Sequence, residues 1–181
     1  MPRMIRLPER IDADGLELRR WTIDDAGSLQ GAVLASAEHL RPWMAWMAAE
    51  PIELEARRGL IDRWQHEWEA GGDSVLGIYV DGTVAGSTGL HRRRGPHTLE
   101  IGYWVHIDFL RRGLARKVAA TLTEAALALP GIEAVEIHHD KANQVSGRIP
   151  RALGYHFLGE TADTPEAPAE VGIDCAWRFK P

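Results

Sequence analysis

The stretch with most chemical content is Leu99 to Ala115, LEIGYWVHIDFLRRGLA. Leu99, Ile101, Tyr103 and Val105 alternate along it, so a strand would carry Glu100, Gly102 and Trp104 on its other face. A carboxylate inside such a strand is a poor choice for packing alone. Glu100 is therefore a candidate for taking or polarising a proton; the alternative is a rim carboxylate paired with an arginine. After a short loop, Arg111-Arg112-Gly113-Leu114-Ala115 opens a helix. A helix start offers unpaired N–H groups and the positive end of the dipole. The small residues Gly113 and Ala115 allow close approach of a phosphate, and Arg111, Arg112, Arg116 and Lys117 add positive charge around it. A diphosphate suits this end; the alternative is an ordinary helix start with basic residues facing water. Walker A, G-x-G-x-x-G and kinase signatures are absent.

Other groups are weaker. His138-His139-Asp140 invites a metal reading, but neighbouring strand residues point to opposite faces, so convergence would need His91 or His97 as well. No metal is expected, and His138 is instead a candidate for the acceptor pocket. The loop His91 to His97 carries three adjacent arginines, suited to an acidic partner or to a solvated hairpin tip. A serine hydrolase would want a G-x-S-x-G elbow, which is missing. The single Cys175 allows no intrachain disulfide and lies outside every motif, so acyl chemistry through a cysteine intermediate is not expected.

These residues need elements to hold them. The spacing predicts helices after Thr22, over Ile52 to Ala70 and over Gly113 to Leu129, and a short one over Asn143 to Leu153 with a kink or early end at Pro150. Ser74 to Val80 and Val84 to Leu90 flank Asp81-Gly82 and read as a hairpin. Further strands are expected at Leu16 to Arg20, Thr98 to His106, Ile132 to His138, Tyr155 to Leu158 and Gly172 to Phe179, with a flexible loop over Thr161 to Glu170. The order implies one α/β (α+β) domain over residues 1–181, with a mixed sheet and helices on both faces.

With 181 residues, 45% hydrophobic and a net charge of -5, the chain can bury a core without metal or disulfide support. The acidic balance opposes general nucleic-acid binding, and no apolar run is long enough to span a bilayer. The start MPRMIRLPER lacks the apolar stretch of a secretion signal, so a cytoplasmic location is expected. Four of the seven tryptophans fall between Trp43 and Trp68. Trp43 and Trp46 lie beside Pro42 in an irregular segment and are candidates for an acceptor pocket; Trp64 and Trp68, four apart, share a helix face and suit the core.

The order EIGYWV, RRGLA, helix, strand, N-x-x-S, L-G-Y resembles the GNAT acyltransferases. With LELRRWTIDDA and HLRPWMAWM, it is most similar to the branch of ribosomal-protein N-terminal alanine acetyltransferases, the RimJ/RimL type. The resemblance covers roughly Leu16 to Glu160 and implies a mostly antiparallel sheet of about 6–7 strands, with two parallel strands splayed at the cofactor site. Acetyl-CoA is the implied cofactor. Its arm would lie along Tyr103, Trp104, Val105, His106 and Ile107, its pyrophosphate on Leu110, Arg111, Arg112, Gly113, Leu114, Ala115 and Arg116, and Asn143 would touch the arm. Leu110 stands where the family usually has Gln or Arg, a change that backbone N–H binding tolerates. Glu100 would polarise the attacking amine. The acid tyrosine usual in the family, seven residues after the Asn, is replaced by Pro150, and Ser146 is the substitute beside the cofactor sulfur. The implied acceptor is a peptide N-terminal amine or an amino-acid-like small molecule, and a homodimer is implied. Alternatives are an antibiotic-modifying acetyltransferase, a non-catalytic acyl-CoA sensor and an RNA-binding module.

Overall fold

The computed structural model describes residues 6–181; the basic start read above for a secretion signal lies partly outside them. Eight strands form one sheet in the order β1-β2-β3-β4-β5-β6-β8-β7. They are β1 (Arg10–Ala13), β2 (Leu16–Arg20), β3 (Ser74–Val80), β4 (Thr83–His91), β5 (Thr98–Val105), β6 (Ala134–Asp140), β7 (His156–Ala162) and β8 (Ile173–Phe179). The strand missing from the sequence reading is β1. It has no apolar alternation strong enough to show, but Asp14-Gly15 supplies two left-handed residues, φ 43° and 77°, that turn it onto β2. The strand β7 also continues to Ala162, into the stretch expected to be a loop.

The helices are α1 (Ala26–Ala35), α2 (Ala37–Leu40), α3 (Leu54–Glu69), α4 (Leu114–Leu127) and α5 (Gln144–Ala152). A 3-10 turn over Ile23–Asp25 precedes α1. Thr22 and Asp25 cap it reciprocally, and Asp25 also takes a two-pronged bond from Arg19 at 2.8 Å. Burial pushes the Asp25 carboxyl up, but the Arg19 and Thr22 bonds override it and bring it to about 2. The helix α5 runs through Pro150 instead of ending there. Pro150 falls in its last turns, where the Leu153 N–H donates to the Ile149 and Pro150 carbonyls and the Tyr155 N–H to the Pro150 carbonyl.

Two apolar clusters sandwich the sheet. Leu99, Ile101, Val105, Val135 and Ile137 pack with Leu114, Val118 and Leu122 of α4. On the other face Trp21, Tyr79 and Val84 pack with Ala26, Leu29 and Val33 of α1 and Ile61 of α3. Trp68 is buried in the first cluster, and Trp64 packs against the second.

All neighbouring strands are antiparallel except β5 and β6. That parallel pair joins only Thr98↔Ala134, Leu99↔Val135 and Glu100↔Glu136. Beyond Glu100 and Glu136 the two strands continue to Val105 and Asp140 without pairing with each other, each held only by its outer neighbour, β4 or β8. The sheet therefore opens as a wedge with its apex at two glutamates.

Candidate active site

The phosphate end is shaped by backbone conformation. Arg111 has φ 59° and Gly113, the N-cap of α4, has φ 71°. Two left-handed residues so close together turn successive N–H groups toward one concavity, a form suited to an anion. No side chain caps the start of α4, so its first N–H groups have no side-chain partner there. Arg111, Arg112 and Arg116 are exposed around it, with Arg112 stacked 5.3 Å from the Phe109 ring centroid. Lys117 is turned away and bound to Asp14 in the β1–β2 turn. Leu110 and Ala115 pack partly against the core, and buried Leu114 anchors the helix start.

One wall of the wedge is β5, from Tyr103 to Val105; the other is β6 with the start of α5. Asn143 caps α5, its side-chain oxygen accepting from the Ser146 N–H at 3.3 Å. Ser146 is thereby fixed on the first turn. The Tyr103 phenol oxygen is buried and has no hydrogen-bond partner within usual geometry, although the Ser146 side chain is near enough to influence it. Burial drives this phenol well above its ordinary range, so it stays protonated. Tyr155, behind it, shares a 2.6 Å bond with Thr123 and is pushed up to about 12 by burial. His139 is occupied otherwise: Trp177 donates to its Nε2 at 3.0 Å, and its Nδ1 lies 2.9 Å from the Asp140 carbonyl.

The face away from α4 follows from strand register. Ser87, Gly89 and His91 of β4 stand opposite Trp104, Gly102 and Glu100 of β5, and Glu136 and His138 follow on β6. Here the sequence expectations meet geometry they did not contain. Glu100 is buried, but both its oxygens are engaged by the basic loop: Arg93 binds through Nε at 3.0 Å and through Nη2, and Arg94 binds through Nε. Burial pushes this carboxyl up; Arg93 and Arg94 pull it further down, below the usual range. The three-arginine loop is thus no free hairpin tip, because two of its side chains turn inward. An ionised, doubly paired Glu100 is poorly placed to accept a proton. His138 is likewise held, its Nδ1 2.7 Å from Asp174 and its Nε2 2.7 Å from Glu136. Burial raises the Glu136 carboxyl, and His138 and Arg178 lower it by more.

At the far end of this face, Trp46 lies against Trp104, ring centroids 6.1 Å apart and tilted by 48°. Trp46 is 39% exposed. Trp43 is half-buried in the preceding turn. The segment is locked in place by residues that the sequence reading did not single out. His39 Nε2 is 2.8 Å from the Val105 carbonyl, Ser36 accepts from the Ile107 N–H at 3.0 Å, and Arg41 donates to the Met47 carbonyl. Below it, Arg57 and Glu50 form a buried ion pair at 2.7 Å, with Gln30 on the Arg57 Nε. Only the density of large apolar groups near Pro42 signalled this part of the chain. His106 borders the same end of β5, accepting from the Asp108 N–H at 3.1 Å.

The family model for the acetyltransferase (GNAT) domain matches residues 15–156, which include both strands of the wedge and the start of α4. The chain belongs to the GNAT acetyltransferase family. It is therefore an acyltransferase. A comparison with curated protein sequences finds no match. Among solved structures, this GNAT protein is similar to the microcin C7 self-immunity acetyltransferase MccE, solved with acetyl-CoA and AMP. That match has 16% identity and a TM-score of 0.87 and covers 96% of this chain and 97% of the other. The ribosomal L7/L12 α-N-protein acetyltransferase RimL, solved with coenzyme A, matches at 19% identity and a TM-score of 0.85 over 95% and 98% of the two chains. RimJ of Mycobacterium smegmatis matches at 18% and 0.78, over 97% and 85%. At such identities the likeness establishes the GNAT fold and not one branch of it.

Proposed function

We propose that this GNAT protein transfers the acetyl group of acetyl-CoA directly to a primary amine, the α-amine of a peptide N-terminus or of an amino-acid-like compound. The observation that carries this is the wedge between β5 and β6, which leads from the left-handed loop at Arg111 and Gly113 to an apex of charged and aromatic groups. In this reading, backbone N–H groups from Leu110 to Ala115 hold the pyrophosphate, with Arg111, Arg112 and Arg116 around them. The arm lies along Tyr103 to Ile107, with Asn143 on its far side, and the thioester reaches the apex. Ser146 donates to the departing sulfur. A thiolate is a stable leaving group, so a weak donor suffices. Burial pushes the Cys175 thiol up, which disfavours a thiolate and suits direct transfer. Glu100, fixed by Arg93 and Arg94, sets the field at the apex.

The acceptor enters over the open face between Trp46–Trp104 and His138, where Trp43 supports the aromatic wall. The tryptophan pair favours a second reading, a small-molecule acceptor with a planar group, as for an antibiotic-like amine. A RimJ/RimL-type substrate, a homodimer and a cytoplasmic location complete the proposal; among the described residues no helix is long and apolar enough to cross a membrane.

Thermal denaturation with acetyl-CoA tests the donor. A ligand at about 100 times its Kd adds about 2.7 kcal/mol, so the midpoint should rise by roughly 5–10 °C for a domain of this size. No shift at millimolar acetyl-CoA would sink the proposal. Thiol release over N-terminal alanyl and seryl peptides, free amino acids and aminoglycosides then assigns the acceptor.

A further inference from the structure

With both Glu100 oxygens held by arginines, and both His138 nitrogens facing carboxylates, proton removal from the amine requires another group. His91, on the same face beside Glu100, engages only its Nδ1 in a hydrogen bond. It is the last residue of β4 and stands opposite Glu100 in the register. Its Nδ1 lies 2.7 Å from Asp73 Oδ2. Asp73 is itself fixed, since its other oxygen accepts the Arg92 N–H at 2.8 Å. The carboxylate accepts a hydrogen bond from Nδ1–H, and in the neutral ring this places the lone pair on Nε2.

The place of that nitrogen is set by two glycines. A Cβ built on Gly89, or one built on Gly102, would lie 3.2 Å from His91 Nε2. The imidazole therefore lies over Gly89 and Gly102, a register pair on neighbouring strands, in space that any side chain at either position would contest. Gly102 is the second residue beyond Glu100, where β5 has just parted from β6. Nε2 thus sits over the glycine pair beside the apex of the wedge, on the sheet face that also carries Glu100 and Trp104. Its charged surroundings are Asp73 before β3, the Arg92, Arg93 and Arg94 loop, and Glu100 on β5.

We infer that Asp73 and His91 form a catalytic dyad in which His91 Nε2 takes the proton of the attacking amine and Asp73 holds the tautomer. The inference rests on the acetyl-transfer reading above. In the step, the amine nitrogen forms a bond to the thioester carbonyl carbon and its N–H proton passes to Nε2. The C–S bond breaks, and its electron pair leaves on the CoA sulfur, which takes up a proton. The imidazolium then releases its proton to water. His91 touches the reacting amine; Asp73 is a positioning residue.

The test uses the full chain, saturating acetyl-CoA and glycinamide at high concentration, a small amine that needs no acceptor-specific contacts. Thiol release is followed beside thermal stabilisation by acetyl-CoA. General-base catalysis contributes about 10²–10⁴-fold, so H91A should lose at least about 100-fold in rate while keeping the acetyl-CoA stabilisation, and added imidazole should restore part of it. H91Q should be as slow, without needing a cavity to be tolerated. Imidazole ¹⁵N shifts should show the Nδ1–H tautomer at His91 in the wild type and a mixture in D73N. H91A and H91Q within about threefold of wild type would overturn the dyad. So would a wild type that is stabilised by acetyl-CoA yet accelerates no aminolysis, a result that leaves the donor site standing. Failure of acetyl-CoA to stabilise any variant would instead remove the acetyl-transfer reading and the dyad with it.

Discussion

At the scale of single residues, the main lesson is that a carboxylate's neighbours decide its work. Glu100 and Glu136 face each other across the parallel β5–β6 pair, both buried. Such a pair is tolerable only with compensating partners: the Arg93 and Arg94 guanidiniums on one, the Arg178 guanidinium and a hydrogen bond with His138 on the other. A buried charge left without its partners destabilises, here by less than the ~3–5 kcal/mol of a fully buried pair because the Arg93 side chain is 60% exposed. The double variant R93M/R94M should therefore unfold at lower denaturant, and adding E100Q to it should recover much of the loss. Chemical denaturation of the three proteins checks this; an unchanged midpoint for R93M/R94M would mean the Glu100 charge is solvated after all. Asp25 makes a smaller case. Its carboxyl, lowered to about 2, contributes stability above the unfolded carboxylate range that is lost as pH falls toward 2. D25N should cost about 1 kcal/mol at neutral pH, with solvent screening allowed for, and the deficit should shrink below about pH 4.

At the scale of elements, two devices place the site. The first is the start of α4. Gly113 has open space where a Cβ would sit, but its φ of 71° is unfavourable for any L side chain. G113A should cost about 1–2 kcal/mol of stability and weaken acetyl-CoA binding at least several-fold, read by calorimetric titration. Unaltered affinity would place the pyrophosphate elsewhere. The second is the buried Arg57–Glu50 pair, which ties α3 to the segment carrying Trp46. R57M leaves Glu50 buried without its partner and should destabilise by about 3 kcal/mol. It should also raise the acceptor KM more than it alters acetyl-CoA binding, because the disturbed segment borders the acceptor face.

At the scale of the whole molecule, the charge pattern predicts acid sensitivity. Asp25, Glu100, Glu136 and Asp140 all have carboxyls lowered on folding, despite burial pushing each of them up. Each binds fewer protons folded than unfolded in the acid range. Stability should therefore be fully present above the ordinary carboxylate range of about 4 to 4.5 and fall steadily below it. Denaturation midpoints measured between neutral pH and about pH 3 test the slope. A flat profile would mean these pairs contribute nothing to folding. Asp140 belongs in this set for a structural reason: its carboxylate accepts N–H bonds from Ala142, Val171, Gly172 and Ile173, closing the β6–α5 connection onto the start of β8.

The sequence by itself determined the periodic elements and the phosphate end. Hydrophobic spacing marked α3, α4 and the β3–β4 hairpin, and Gly113 with its basic neighbours marked the helix start, because those signals are local. It did not determine β1, a short strand held by its pairing with β2 and by Ile11 against the core, or the continuation of α5 through Pro150. Nor did it determine what Glu100 does: the arginines that hold it are six and seven residues away in sequence, on a loop that read as solvated. The Asp73–His91 contact spans 18 residues and is made by folding a hairpin, with Gly89 and Gly102 brought together only by the β4–β5 register. Local pattern fixes which elements form. The partners of a buried charge or a free imidazole nitrogen are chosen by strand register and by which face the chain leaves open, and only the assembled sheet specifies those.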